Sequence, residues 1–201
     1  MQAILTVFTY WTLAKPEVHQ RLLADLSSAG INLQTLKWVE LEKVPYFWAV
    51  LQECLRMMPG VSHRSARIAR LEDLHYVSAD GKSDWVIPRG TPIGMTSMIN
   101  HWNRELFPDP DEFLPERWIL EDGSQNYALQ KKLIAFGKGS RSCIGEQLAY
   151  CELYIMGAYM VLNVLPRAKL VDTVKEDIAY DHDLIVAQTT KGSISVRIAI
   201  E

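Results

Sequence analysis

Apolar residues recur at helical intervals over residues 2 to 13, QAILTVFTYWTL, and the pattern breaks at Lys15-Pro16. It restarts in PEVHQRLLADLSSAG, where proline suits the first turn of a helix and Gly30 its stop. Two helices around a bend are therefore predicted over 1–30. The run VPYFWAVLQECLRMMPG opens at Pro45 and closes at Pro59-Gly60, with Phe47, Leu51, Leu55 and Met58 on one side, so a helix is predicted over 44–58. From 64 to 96 the period changes. Short β-prone runs surround an Asp80-Gly81 turn and a break at Pro88-Arg89-Gly90, predicting small strands. Residues 100–135, which include NRELFPDPDEFLPERW, are too proline-punctuated for a long element and too apolar for a solvated linker. This meander must pack against something. After the stretch FGKGSRSCIG at 136–145, Ile144, Leu148, Cys151, Ile155, Ala158 and Leu162 predict an apolar helical face over 146–165, stopped by Pro166. The end, DLIVAQTTKGSISVRIAI, predicts two strands within 184–200 around Lys191-Gly192. The pattern describes one mainly α domain with a minor β-sheet, without internal repeats or low-complexity tracts.

Composition narrows what such a domain does. With 48% hydrophobic residues, six tryptophans and a net charge of −3, the chain has the makings of a real core, and its weak acidity argues against nucleic acid as the main partner, leaving only local basic patches to matter. The apolar amino terminus carries no early cation or small-residue cleavage site and does not read as a signal peptide. Its uncharged run before Lys15 is shorter than the ~20 residues of a membrane span. Three irregularly spaced cysteines, Cys54, Cys143 and Cys151, argue against a disulfide framework or a zinc site. Cys54 and Cys151 lie within apolar helical patterns and read as small buried hydrophobes.

Cys143 differs, because its neighbours are glycines and Arg141. Glycine admits positive φ and lets the backbone approach a flat ligand. The amino terminus of a helix and a nearby cation both favour an anion, so a thiol placed there is a ligand or a nucleophile. A glycine-rich turn with a structural cysteine is the plain alternative. The full spacing F-x-x-G-x-R-x-C-x-G is present, however, and five fixed positions coincide by chance on the order of once in 10⁴ chains of this length.

FGKGSRSCIG resembles the haem-binding loop of the cytochrome P-450 haem-thiolate monooxygenases. The resemblance implies that Cys143 is the axial ligand of haem b iron, that Arg141 meets a haem propionate, and that Phe136, Gly139, Ile144 and Gly145 pack near the porphyrin and the cysteine. Glu53 and Arg56 in ECLR fit the family's E-x-x-R, and Arg117 in PERW resembles the third member of its triad. Arg67 is placed like a family arginine that reaches a propionate, with Arg64 as neighbour or substitute. His101 matches a recurrent family position, as a capping or packing residue or as a ligand contact.

The resemblance covers essentially all 201 residues and corresponds to the carboxyl-terminal part of the family fold. Residues 1–30 match the end of the long central helix and the helix after it. Most of that central helix and everything before it, including an acid-alcohol proton-delivery pair and a membrane anchor, fall outside the match. The implied activity is insertion of one oxygen atom from O2 into an apolar small molecule. Electrons would come from NADPH through a flavoprotein reductase docking near Lys131, Lys132 and Lys138. DWVIPRGTP, FGKGSRSCIGEQLAYCELY and YDHDLIVAQ are similar to fungal secondary-metabolism members, implying terpenoid, polyketide or alkaloid substrates. Ile68 to Ala69 and Thr189 to Gly192 are the segments placed to touch a substrate. The family location is the endoplasmic reticulum membrane, facing the cytoplasm; without the anchor, a cytoplasmic location is equally open. The alternative to an enzyme is a truncated, non-catalytic haem-binding or partner-binding relic.

Overall fold

Proline has no amide N–H and pushes the residue before it out of the helical region, so the opening helical run divides at Lys15-Pro16. In the computed structural model, which describes residues 1–34 and 36–201, α1 (Gln2–Ala14) and α2 (Pro16–Ser28) meet at Lys15, whose φ is −119° and ψ 89°. Gly30 ends α2 at φ +69°, and the Ile31 N–H closes back onto the Leu26 carbonyl at 3.0 Å. Only a residue free of Cβ strain sits comfortably there.

A four-residue turn of helix, α3 (Trp38–Leu41), leads into α4 (Pro45–Met57), the axis of the molecule. The sequence predicts one apolar side for α4; instead every residue from Tyr46 to Met57 is buried, including Gln52, Glu53 and Arg56. A helix enclosed on all sides must bury its polar residues too, and their hydrogen bonds then have to be met internally. Phe47 packs edge-on against Phe8 of α1 and Tyr154, and Trp48 against Trp118.

The strands are short and pair locally. β1 (Arg67–Ile68) pairs with β4 (Pro92–Ile93), and between them β2 (Leu74–Val77) and β3 (Asp84–Ile87) form the hairpin expected around Asp80-Gly81. After α5 (Ser97–His101), capped by Thr96, the meander runs through a tight turn at Pro115–Trp118 and α6 (Tyr127–Gln130) to the cysteine loop. The minor β-structure is four separate two-stranded antiparallel ladders among the described residues.

The helix behind the loop, α7 (Glu146–Tyr159), continues through a wider turn at Met160–Val164 and a tight one at Leu165–Arg167. The predicted core face is corrected here. Ile144 is fully exposed (105%), Leu148 is 64% exposed and Cys151 is half-buried, while Tyr150, Leu153, Tyr154, Gly157, Ala158 and Val161 form the inner face. Two apolar stripes run along this helix, and periodicity alone does not choose between them. Aromatic residues and Gly157 decide it: a Cβ at 157 would lie 3.1 Å from Phe47 Cζ, so glycine is what lets α7 lie close to α4. Glu146–Arg167 is 22 residues long and apolar enough by composition to span a membrane, and one side of it packs against α1 and α3.

The chain then forms β5 (Ala168–Leu170), β6 (His182–Leu184), β7 (Val186–Gln188) and β8 (Ile198–Ile200). Lys191-Gly192 does turn, with Gly192 at φ +90°, but the strands on either side do not pair with each other. β6 pairs with β7 across Ile185, and β8 pairs with β5. Ile185 has φ +75°, a conformation that a β-branched residue resists. Its carbonyl takes the N–H groups of Ser62 and His63 at 3.2 and 3.3 Å, which hold the turn in place.

Candidate cofactor site

A carboxylate buried in the centre of α4 demands donors, and the fold supplies five N–H groups to Glu53. Arg56 Nε and Nη2 reach Oε2 and Oε1, both at 2.9 Å. The Leu114 N–H (3.0 Å) and Arg117 Nε (3.3 Å) donate to Oε1, and Trp118 Nε1 donates to Oε2 at 2.8 Å. The structure thus brings Glu53, Arg56 and Arg117 together. Arg56, itself fully buried, also donates to the carbonyls of His101 and Glu112, and Arg117 to those of Pro108 and Asp109. Such charge-assisted bonds pin the meander to α4.

The pinning extends to the cysteine loop through His101. Its Nδ1–H donates to the Arg56 carbonyl at 2.9 Å, and Nε2 accepts from the Ile134 N–H at 3.0 Å, two residues before Phe136. Both ring nitrogens are used and the neutral tautomer is fixed. Burial pushes its pKa down to about 3; the bond to the Arg56 carbonyl pulls the other way, and the Arg56 charge reinforces the fall. His101 is a packing residue of this network and does not line the cavity beside Cys143. Its bridging role, and those of Trp118 Nε1 and the Leu114 N–H, go beyond what spacing revealed. The run of aromatic and proline residues around PERW was the only signal.

In the loop, Gly137 and Gly139 both take positive φ, +73° and +75°, and reverse the chain so that the Cys143 N–H donates to the Phe136 carbonyl at 2.9 Å. Phe136 stacks obliquely on Tyr150, with centroids 5.3 Å apart, which ties the loop to α7. Cys143 stands exposed three residues before α7, and a Cβ at Gly145 would come within 3.8 Å of its Sγ. Cys143 lines a cavity of about 350 Å³.

That cavity lies between α1, represented by Ile4, the segment after α4 and the cysteine loop, and it takes in Arg67, Arg141 and His63 as well as Cys143. No carboxylate lines it among the described residues. One thiol, three basic side chains and an otherwise largely apolar wall fit a hydrophobic metal complex that carries carboxylates. Phe136 and Gly137 are part of the lining; Ile144 is not, because its side chain turns out to solvent. Gly139 lines a second cleft of about 280 Å³ on another side of the loop, together with Lys131 and Lys138. Lys132 is exposed nearby. Arg64 is drawn away to lie over Gly94, where a Cβ would meet its Cγ at 2.7 Å. Thr189 lines an adjoining cavity of about 480 Å³ that shares Met1, Gly60 and Val61 with the first; Ile68 and Ala69 line neither.

A family profile described as Cytochrome P450 matches residues 3–188. The chain belongs to the cytochrome P450 family. It is 38% identical over 191 residues to a cytochrome P450 monooxygenase, oblB, of Emericella variicolor, covering 94% of this chain and 33% of that protein. The N-acetyltryptophan 6-hydroxylase ivoC of Emericella nidulans is 37% identical over 195 residues, covering 94% of this chain and 36% of the relative. Among solved P450 structures, a retinoic acid-bound cyanobacterial CYP120A1 superposes with a TM-score of 0.73 at 22% identity, over 99% of this chain and 42% of that one. The fold is therefore a partial P450 fold, mainly helical with small sheets. The chain spans about a third of the length of these curated P450 relatives.

Proposed function

We propose that this chain forms the thiolate-bearing part of a haem-dependent monooxygenase in which Cys143 is the axial ligand. The observation that carries the reading is the meeting of Cys143, Arg67 and Arg141 on one cavity without a carboxylate. When bound, haem supplies the activation of dioxygen and the insertion of one oxygen atom into a substrate. The residues of the chain do the holding. Cys143 presents Sγ from a loop fixed by Gly137 and by the Phe136 carbonyl, Arg67 and Arg141 offer cations to the carboxylates of the cofactor, and Ile4 and Phe136 give apolar contact. Glu53, Arg56, Arg117 and His101 keep the loop in register with α4.

The adjoining cavity that reaches Thr189 is the proposed place of an apolar small-molecule substrate, and one fungal relative is named for hydroxylating a small molecule, N-acetyltryptophan. The cleft bearing Lys131 and Lys138, with exposed Lys132, is the proposed docking face of an acidic flavoprotein reductase carrying electrons from NADPH. The test is to express the 201-residue chain with haem supply, reduce it, add carbon monoxide and record the absorption spectrum. A strongly red-shifted Soret band that vanishes in Cys143→Ser supports the proposal, and absence of haem uptake contradicts it.

A further inference from the structure

The basic lining of the Cys143 cavity contains one group whose orientation is set by a distant part of the chain. His63 follows α4, and its Nδ1 lies 3.1 Å from Oδ2 of Asp183 in β6, 120 residues away. Ser62 Oγ donates to the other oxygen of the same carboxylate at 3.0 Å. The surrounding backbone is fastened at several further points. Val61 bridges Val186, the Ser62 and His63 N–H groups reach the Ile185 carbonyl, Thr96 Oγ1 donates to the Ser62 carbonyl, and Ser97 Oγ to that of Val61 at 3.3 Å. A loop residue is seldom held this closely without a purpose for its side chain.

An ionised carboxylate only accepts, so Nδ1 carries the hydrogen and Nε2 is left for another partner. Among the described residues Nε2 has none, and His63 lines the same cavity as Arg67, Arg141 and Cys143. The carboxylate of Asp183 sits on Nδ1, where it orients the ring and turns Nε2 away from it. Asp183 is a positioning residue in this arrangement and His63 is the binding one.

We infer that His63, oriented by Asp183 and Ser62, is a third anion-binding residue of the cavity and, as an imidazolium held between Asp183 and the ligand, donates from Nε2 to a carboxylate of the molecule bound there. The inference rests on the proposed haem site for the identity of that molecule. It adds a contact that runs from the β6–β7 hairpin through Asp183 to the cofactor's acidic edge. The same hairpin, through its β7 end and the following Thr189, lines the adjoining cavity.

The test uses metal-free protoporphyrin IX, which offers two carboxylates and no iron for Cys143, and its dimethyl ester, which offers neither. Binding of each to the full chain is followed by quenching of tryptophan fluorescence. The side chain of His63 is 55% exposed, which screens the contact, so His63→Ala and Asp183→Asn each lower affinity for the diacid by about three- to tenfold. Affinity for the ester stays unchanged, and His63→Lys restores diacid binding. Far-UV circular dichroism reports folding, and if Asp183→Asn unfolds, the two His63 variants decide. Undiminished diacid binding in His63→Ala, or equal losses for diacid and ester, overturns the inference. The two proposals fail separately. A thiolate spectrum without any His63 effect sinks this one alone, whereas His63-dependent diacid binding without a thiolate spectrum sinks the axial-ligand reading alone. A chain that binds neither porphyrin contradicts both.

Discussion

Glu53→Gln keeps the shape of the side chain and removes the charge on which the interior of α4 depends. In the better of its two amide orientations the new NH2 replaces Oε2, so Arg56 Nε and Trp118 Nε1 face a donor where they had an acceptor. In the other, Arg56 Nη2, the Leu114 N–H and Arg117 Nε lose their partner. Each buried donor left unmet costs about 1–3 kcal/mol, and a fully buried guanidinium deprived of its counter-ion brings the total to about 3–5 kcal/mol. A domain of ordinary stability, ~5–15 kcal/mol, loses roughly a fifth or more of it. The assay is urea unfolding followed by tryptophan fluorescence, in which Trp48 and Trp118 report from the core. The matched control, Glu40→Gln, removes an exposed ion pair with Lys43 and leaves the midpoint nearly unchanged. A Glu53→Gln loss below about 1 kcal/mol would refute the claim that this carboxylate organises the meander.

Three further outcomes follow from the same geometry. His101 stays neutral in the fold until about pH 3, whereas an unfolded histidine binds its proton near ~6.5, so the unfolded state holds more protons between these limits. Stability therefore falls as pH drops through that window, by up to ~1.4 kcal/mol per unit, and acid titration of His101→Gln by circular dichroism shows a shallower slope. Gly157→Ala drives a methyl to 3.1 Å from Phe47 Cζ and 3.2 Å from its Cε2, and lowers stability by about 1–2 kcal/mol after the better helix propensity of alanine is counted; an unchanged melting midpoint would contradict the close α4–α7 approach. Maleimide labelling of the haem-free chain, read by peptide mass spectrometry, marks Cys143 first and leaves Cys54 unmodified. Cys54 is buried, and desolvation together with the Glu53 charge pushes its thiol well above its ordinary range.

What could be read in the sequence was local. The cysteine loop, the E-x-x-R pair and the hairpin at Asp80-Gly81 each depend on residues close in the chain, and the glycines and prolines that shape them are unambiguous. The inner face of α7 was not legible, because Ile144 and Leu148 are as apolar as Leu153 and Val161. Only the packing of Phe47 against Gly157 and Tyr154 distinguishes the stripes. Pairing of β5 with β8 joins strands separated by the whole β6–β7 hairpin, and the turn at Ile185 carries no glycine to announce it. The same lack of a local signal hid the Asp183–His63 contact. Residues at 63 and 183 share no motif, and the fastening of Val61 to Val186 and of the Ser62 and His63 N–H groups to the Ile185 carbonyl brings them together.

The central claim is that Cys143 ligates iron, and iron-edge X-ray absorption of the haem-loaded chain tests it most directly. The account predicts one sulfur scatterer in the first shell of the iron beside the porphyrin nitrogens, lost in Cys143→Ser and retained in Cys54→Ser and Cys151→Ser. A first shell of nitrogen and oxygen alone in the unaltered chain, or a sulfur that persists in Cys143→Ser, contradicts it.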